Sequence, residues 1–340
     1  MSSALENAPA PVPGSVGTPP RAGLASVLSR RHVGTLAALI ALLVFNFIFT
    51  PHFATMQTLS VNLTQVCVIV IVGVGMTMVI ATGGIDLSVG ALMAIAGAFA
   101  PQIFQGLLFP VPNLYVGIAL GIILPVMLAG CFGLFNGWLV ANFRVQPIIA
   151  TLILFIAGRG IAQVWTNGDL QVFKVPEFQQ IAIGRVFGVP FQVWIMLALV
   201  LVSAWALRRT VFGRQVLAVG GNEQAAWLAG IPVRRVKLLV YVISGVCSGI
   251  AGLIVIAMNS AADANLIGMG IELDVIAAVA VGGTLLTGGR ATIIGTLLGA
   301  LIIQLVRYTL LANGVPDAAA LIVKAGLIVL AVWLQRQDRA

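Results

Sequence analysis

Ten long apolar segments divide this chain and decide its fold class. Each is 17 to 22 residues long, and most hold few or no charged residues. About 20 apolar residues suffice for a helix to cross the hydrocarbon core of a bilayer. We therefore predict an all-α integral membrane protein with about ten transmembrane helices, at 34–50, 61–82, 86–106, 115–135, 147–166, 191–207, 238–258, 271–287, 291–311 and 318–335.

Composition supports this class and excludes two others. Hydrophobic residues make up 60% of the chain and charged residues only 8%, whereas a soluble domain carries roughly 25% charged residues. The net charge of +8 is no sign of nucleic-acid binding, because the basic residues lie in loops between apolar segments, as in membrane proteins generally. The three cysteines lie within apolar runs without metal-ligand spacing, so we expect no metal site.

The distribution of basic residues predicts the topology. With a cytoplasmic N-terminus, 13 of the 18 basic residues fall in inner segments and only 2 in outer loops, which agrees with the positive-inside rule. We expect a multi-pass membrane protein with both termini cytoplasmic. Residues 1–33, rich in Ala, Pro, Gly and Ser, form a disordered tail; the membrane domain spans 34–335, and 336–340 form a second cytoplasmic tail.

The eighth apolar segment, 271–287, is the weakest prediction. It is short and contains Glu272 and Asp274, so a re-entrant segment is an alternative to a crossing. If it did not cross, the arginines that follow it would move to the outside, so charge favours ten crossings.

An internal similarity relates the two halves of the chain. Residues 84–97 (GIDLSVGALMAIAG) and 270–283 (GIELDVIAAVAVGG) match at seven of fourteen positions, with Asp86 opposite Glu272. The first opens the third segment, running outward, and the second opens the eighth, running inward. This arrangement predicts an inverted repeat of five helices plus five, which is common in transporters. The alternative is chance similarity between apolar segments.

Polar residues at the start of the third segment form one candidate site. Asp86, with Thr82 and Ser88, follows two glycines at the inner end. An ionisable group within a membrane faces a partner, the bundle interior or a water-filled path. The alternative to a role in a solute path is structural, since an acidic residue at this place also suits the cap of the following helix.

A second polar group lies near the outer end. Glu272 and Asp274 open the eighth segment beneath an outer loop that contains Asn259 and Asp263. A mouth lined by such groups suits the hydroxyls of a sugar. The alternative is a helix cap with ordinary loop polarity.

The largest inner segment, 208–237, contains a predicted short helix. Asn222 suits an N-cap, Glu223 the first turn and Gly230 the position after the helix end. A two-turn helix is marginal in water, so it needs a surface to dock on, either a protein partner or the membrane face. The chain has no phosphate-binding loop of the GxxxxGK[ST] type, so we expect neither ATP hydrolysis by it nor any other enzyme activity.

Four segments carry a family resemblance. ATGGIDLSVGALMAIAGA (81–98), FNGWLVANFRVQPIIATLILFIAGRGIAQ (135–163), GRQVLAVGGNEQAAWLAGI (213–231) and ELDVIAAVAVGGTLLTGGR (272–290) resemble the permease subunits of bacterial ribose-, xylose- and arabinose-type ABC sugar importers. The stretch 150–163 looks most like the galactofuranose permeases. The resemblance covers the chain from about residue 35 onward.

The resemblance implies function, partners and a docking site. It implies translocation of a monosaccharide, a pentose or a hexose such as galactofuranose, by two permease subunits, identical or related. A cytoplasmic ATPase would bind ATP and Mg, so this chain needs no cofactor, and a periplasmic binding protein would deliver the sugar. The 222–230 helix would be the coupling helix that docks on the ATPase, through Gly221, Asn222, Glu223, Ala225, Ala226, Trp227 and Gly230. Trp227 is bulkier than the family pattern at that place.

Two alternatives remain at this level. An ion-coupled secondary transporter would use Asp86, Glu272 or Asp274 and would move solute without an ATPase. A membrane assembly protein would transport nothing, and it leaves the polar mouth at 259–274 unexplained.

Overall fold

The computed structural model describes residues 30–316, 318–323, 325, 326 and 329, with side chains from residue 34 on. The predicted N-terminal tail up to residue 29 and the C-terminal tail lie outside the described residues. The tenth predicted segment, 318–335, is described only in part.

The described residues up to 316 form twelve helices joined by short loops and four two-residue strands, and residues 318–323 are also helical. The helices are α1 (Arg30–Phe49), α2 (Met56–Ala81), α3 (Val89–Phe104), α4 (Leu114–Asn142), α5 (Pro147–Thr166), α6 (Pro176–Ile183), α7 (Phe191–Arg209), α8 (Val211–Gly221), α9 (Glu223–Leu228), α10 (Val233–Asn259), α11 (Ile271–Val281) and α12 (Ile293–Ala312). The strands are β1 (Gln171–Val172), β2 (Arg185–Val186), β3 (Val189–Pro190) and β4 (Ala261–Ala262).

Capping side chains fix where several of these helices begin. Thr55, Asn113, Thr210, Asn222 and Thr292 each accept a hydrogen bond from the backbone N–H three residues further on. Such a bond satisfies one of the four N–H groups that a helix start leaves without an intrahelical partner. These caps set the starts of α2, α4, α8, α9 and α12.

Six of the described helices are long and apolar enough to cross a membrane, and the predicted count of ten is not confirmed. The six are α2, α4, α5, α7, α10 and α12. The apolar part of α1, from Gly34, and the whole of α3 are shorter. The helix α1 also begins at Arg30, which takes in the last four residues of the predicted tail.

The third and eighth predicted segments are shorter than the sequence indicated. The helix α11 has 11 residues, which is roughly 16 Å of helix against a hydrocarbon core of about 30 Å. It ends at Gly282 and Gly283, and Gly283 has a φ of +85°. The helix α3 starts only at Val89 because residues 82–88 form turns, with Gly83 at φ +81°. The gap predicted at 83–85 contains the turn at Gly83, whereas apolar composition continues through Gly283, so hydropathy alone does not register that second turn.

The helix α10 lies at the centre and packs against α2, α3 and α4. Its glycines allow this close packing: a Cβ at Gly245 would overlap the Ala129 carbonyl, and one at Gly252 would overlap Met93. Small residues let helix backbones approach closely in lipid. In contrast, α4, α5 and α7 leave most of their apolar residues uncovered, as expected for helices that face lipid.

The bundle has two distinct ends. At the α6 end, the antiparallel pair β1–β4 joins the segment after α5 to the segment after α10, and β2–β3 form a hairpin before α7. At the α9 end, α8 and α9 connect α7 to α10. The helix α8 was not predicted within 208–237, although Thr210 caps it and Val216 and Val219 bury one of its faces.

Candidate functional site

Asp86 is fully buried and binds residues from two parts of the chain. Its Oδ1 accepts hydrogen bonds from the Ser88 hydroxyl (2.6 Å) and the Ser88 backbone N–H (3.0 Å), and its Oδ2 accepts one from the Ser244 hydroxyl of α10 (2.7 Å). Asn136 of α4 donates to the Ser88 hydroxyl at 2.9 Å. Asp86 therefore ties the turn before α3 to α4 and α10. It does not cap α3 directly, because Ser88 occupies the N-cap position.

Two further polar atoms are buried in this part of the bundle. The Asn136 Oδ1 and the Tyr241 hydroxyl have no hydrogen-bond partner among the described residues, and the Tyr241 hydroxyl lies where a Cβ on Gly84 would be. Buried polar atoms of this kind are commonly satisfied by an internal water. The cluster around Asp86 thus joins three helices through polar groups inside an apolar bundle.

Replacing Asp86 by alanine is expected to destabilise the protein. The change leaves the hydroxyls of Ser88 and Ser244 buried without their acceptor, at a cost of about 3 kcal/mol. We expect the thermal midpoint of the purified chain to fall by roughly 5–10 °C, measured by fluorescence in detergent. Asp86→Asn keeps an acceptor for Ser88 and should lose less; equal losses in the two variants would contradict this account.

Arg159 of α5 holds the loop between β4 and α11. Its Nη1 donates to the carbonyl oxygen of Ala264 at 2.9 Å and also to that of Ile267. These bonds give the guanidinium two partners in the loop. Within the same loop, the Asp263 Oδ1 accepts the Asn265 backbone N–H at 2.8 Å. Residues 263–270 are named the α11 loop below.

The α11 loop reaches the first turn of α3. A Cβ on Gly90 would overlap the Gly268 carbonyl and would lie 2.9 Å from the Glu272 Oε2. Glu272 is 7% exposed, and its Oε2 has no hydrogen-bond partner among the described residues. The starts of the two short helices, α3 and α11, therefore meet inside the bundle at the contact between Gly90 and Gly268.

The structure places most of the predicted path residues at two sites, one around Asp86 and one at the start of α11, and leaves two of them outside both sites. Asp86 and Ser88 lie at the first site, and Asp263 and Glu272 lie near Arg159 at the second. Asp274 is buried in the first turn of α11. The two residues outside both sites lie at opposite ends of the bundle: Thr82 donates to the Val79 carbonyl at 2.8 Å near the α9 end, and Asn259 is exposed at the end of α10.

The helix α9 has the predicted start and end. The Asn222 Oδ1 accepts the Ala225 N–H at 2.9 Å, and Gly230 has a φ of +78°. Glu223 accepts a hydrogen bond from Lys237 of α10 at 2.7 Å. Ala226 is buried and seats the helix, whereas Gly221 and Ala225 are exposed.

Trp227 and Leu228 project from α9 into the surroundings, 69% and 77% exposed. Two adjacent large apolar side chains that are this exposed on a short connecting helix are typical of an interaction surface. Among the described side chains, no three His, Cys, Asp or Glu residues come together as metal ligands. The side chains described above offer hydrogen bonds and an exposed apolar surface for docking.

Three backbone segments converge beside α9. The Gly289 N–H donates to the Ala81 carbonyl at 3.0 Å, and a Cβ on Gly220 would overlap that same carbonyl. A Cβ on Gly288 would lie 2.8 Å from the Gly83 nitrogen. The end of α8, the turn after α2 and the loop after α11 are therefore in direct backbone contact.

Sequence reasoning missed the residues that make these contacts. Gly90, Gly220 and Gly268 act through the absence of a side chain, and Ser244 meets Asp86 across 158 positions. Gly90 lies within the GIDLSVG motif and Gly220 within the GGNEQ motif, so the motifs carried the only signal. Nothing in one sequence indicates which glycine of an apolar helix contacts another backbone.

Comparison with known proteins identifies the family. Residues 58–332 match the family described as "Branched-chain amino acid transport system / permease component". The chain belongs to this permease family. The ribose import permease protein of Escherichia coli is 41% identical over 310 residues, covering 90% of this chain and 94% of the relative. No solved structure matches the chain.

Two other relatives are named for different sugars. The galactofuranose transporter permease protein of Escherichia coli is 39% identical over 312 residues, covering 89% of each chain. The L-arabinose ABC transporter permease protein of Azospirillum brasilense is 34% identical over 342 residues, covering 100% of this chain and 98% of the relative. The family and its long apolar helices make the chain a multi-pass membrane permease subunit rather than an enzyme.

Proposed function

We propose that this chain is the permease subunit of an ABC importer that carries a monosaccharide across the inner membrane. The observation that carries the proposal is the identity of 34–41% to permeases named for ribose, galactofuranose and arabinose, over at least 89% of this chain. The substrate is accordingly a pentose or a hexose rather than an amino acid. The relatives support this interpretation and not an ion-coupled transporter.

In this proposal α9 is the coupling helix. Trp227 and Leu228 enter a pocket of a cytoplasmic ATPase, which binds ATP and Mg while this chain binds no cofactor. The Lys237–Glu223 ion pair and the buried Ala226 keep α9 attached to α10 and α8. A displacement of α9 would therefore move helices that reach the centre of the bundle.

The backbone contacts beside α9 would transmit its displacement to the centre of the bundle in two ways. The end of α8 touches the turn after α2, which leads to Asp86 and the start of α3. It also touches the loop after α11, and α11 carries Glu272 at its other end. ATP-dependent motion of α9 would thus act on both short helices at once, and differential affinity of ATP for the two arrangements would drive the change.

The solute path passes the contact between Gly90 and Gly268. Glu272 offers a buried, unpartnered carboxylate oxygen there, which suits a sugar hydroxyl, and the Arg159 bonds hold the α11 loop closed. Discontinuous helices whose ends meet within the membrane are typical of transporter substrate sites. Asp263 and Asp274 complete the polar surroundings on the same side.

The finer architecture is part of the proposal. The charge distribution supports about ten crossings with both termini cytoplasmic, the α9 end inside and the α6 end facing the periplasm. The likeness of α3 and α11 supports the 5+5 inverted repeat: both follow non-helical turns, and Asp86 lies just before α3 as Glu272 lies in the first turn of α11. A second permease subunit, identical or related, and a periplasmic binding protein complete the importer.

Reconstitution tests this function. The purified chain in proteoliposomes, with its partner ATPase and binding protein, is expected to take up radiolabelled ribose, arabinose or galactofuranose only when ATP is supplied. A protonophore should leave the rate unchanged. Uptake by the chain alone under an ion gradient, with no response to ATP, would refute the importer and support the secondary transporter.

A further inference from the structure

A small polar pocket lies at the α6 end, away from the candidate solute path. It has a volume of about 270 Å³ and lies between α2, α6, α10 and the β2–β3 hairpin. Three side chains with hydrogen-bond donors line it: Ser60 and Thr64, one turn apart on α2, and Arg185 at the start of the hairpin. None of the three has a role in the proposed importer.

Arg185 is exposed at the mouth of this pocket. Arg185 forms no ion pair within the described residues, and its Nη2 makes only a long hydrogen bond to the Ser60 Oγ, at 3.4 Å. The Thr64 hydroxyl has no hydrogen bond to another described residue. A guanidinium beside two hydroxyl donors is the arrangement that proteins use for phosphate groups.

The hairpin that carries Arg185 also presents an aromatic side chain outward. Phe187 is 93% exposed and has a φ of +53°, followed by Gly188 at +79°. A two-residue turn with positive φ at both positions favours Asn-Gly, and φ > 0 is rare for a bulky residue. The hairpin alone therefore does not explain the phenylalanine.

Phe187 belongs to an exposed aromatic surface. Its ring lies edge-on to that of Trp194, with the ring centroids 6.3 Å apart. Trp194 is on the first turn of α7 and is 41% exposed, and its indole N–H donates a hydrogen bond to the Val186 carbonyl at 3.3 Å. Aromatic residues at helix ends favour the level of the lipid headgroups. The hairpin thus carries both Arg185, which lines the polar pocket, and Phe187, which forms an aromatic pair suited to the level of the headgroups.

We propose that this pocket binds the headgroup of a phospholipid in the leaflet at the α6 end. The lipid phosphate accepts hydrogen bonds from Arg185, Ser60 and Thr64, and an acyl chain lies along Phe187 and Trp194. The recognised chemistry is a phosphate ester, which a water-soluble ester also carries. The adjoining aromatic surface assigns the site to the lipid.

Native mass spectrometry of the purified full-length chain tests this site with phosphatidylglycerol as the probe. Arg185→Gln is expected to weaken retention of the lipid about tenfold or more, because it removes the charged hydrogen-bond donor. Lys174→Gln is the matched control: Lys174 is also exposed at the α6 end but does not line the pocket, so it should retain the lipid as wild type does. Phe187→Asn, which suits the turn, should weaken retention less than Arg185→Gln.

Two further probes separate the components of recognition. Diacylglycerol, which lacks the phosphate, and glycerol 3-phosphate, which lacks the chains, should both bind at least about tenfold more weakly than phosphatidylglycerol. Equal retention of phosphatidylglycerol by the Arg185→Gln and Lys174→Gln variants would overturn the site. Equal binding of glycerol 3-phosphate and the lipid would overturn the assignment to lipid. Size-exclusion profiles identify any variant that misfolds, and Ser60→Ala then tests the same pocket.

Discussion

Replacing Trp227 by alanine is expected to weaken binding of the ATPase subunit by about thirtyfold. Trp227 is 69% exposed at the end of a helix whose buried side already seats it on the bundle. An exposed tryptophan that enters a pocket of a partner typically contributes 2 kcal/mol or more, and each 1.4 kcal/mol is a factor of ten in the dissociation constant. The change should be measured by surface plasmon resonance with the permease in nanodiscs.

The control for this change is Trp205→Ala. Trp205 lies on α7 and is 63% exposed, so the two substitutions remove the same side chain at similar exposure. Only the change on α9 should affect the ATPase. If both variants bind the ATPase as wild type does, α9 is not the docking surface, and a helix lying on the membrane face becomes the better explanation.

The same helix corrects one expectation from sequence. Ala225 and Ala226 were both assigned to the coupling surface, but Ala226 is buried while Ala225 is exposed. A charged residue at Ala226 would therefore dislodge α9 from its seat, and loss of ATPase binding would follow whatever the docking surface was. Trp227 and Leu228 test the surface without disturbing the seat.

Local signals in the sequence were sufficient for α9. The cap at Asn222 and the left-handed Gly230 are contacts within a few residues, and both are present. The apolar segments likewise predicted an all-helical membrane fold, because length and composition decide whether a helix suits lipid. Such features depend on neighbours in the chain, so one sequence contains them.

The start of α3 and the end of α11 were not predicted, because they depend on contacts between residues that are distant in the sequence. Apolar composition continues through Gly283, where a positive φ angle turns the chain, and the predicted gap at Gly83 does not show that α3 begins only at Val89. Asp86 appeared as a cap because its partner Ser244 lies 158 positions away. The candidate site is built from such distant pairs, which explains why its acidic residues were found and its glycines were not.

Replacing Gly90 by alanine is expected to reduce ATP-driven sugar uptake by about tenfold. The added methyl group would overlap the Gly268 carbonyl and crowd the Glu272 Oε2, and a backbone carbonyl cannot rotate away as a side chain can. Overpacking of this kind costs typically 1–3 kcal/mol. The clash pushes the α11 loop away from α3. The ratio of closed to open arrangements therefore shifts by about tenfold, since each 1.4 kcal/mol is a factor of ten. Initial uptake rates in proteoliposomes with all partners measure the effect.

The control variant is Gly160→Ala on α5. It adds a methyl group to a helix without affecting the contact between Gly90 and Gly268. Nothing lies within 4 Å of a Cβ at Gly160, and alanine in a helix interior is favoured over glycine by up to about 1 kcal/mol, so this variant should transport normally. Gly268→Ala meets Gly90 from the other side and should also lose uptake, but its φ of +68° adds backbone strain of its own, so Gly90→Ala is the cleaner test of the contact. ATPase binding through α9 should stay unchanged in all three variants. Normal uptake by the Gly90→Ala variant would mean that the starts of α3 and α11 do not part during transport, and the path would then lie elsewhere.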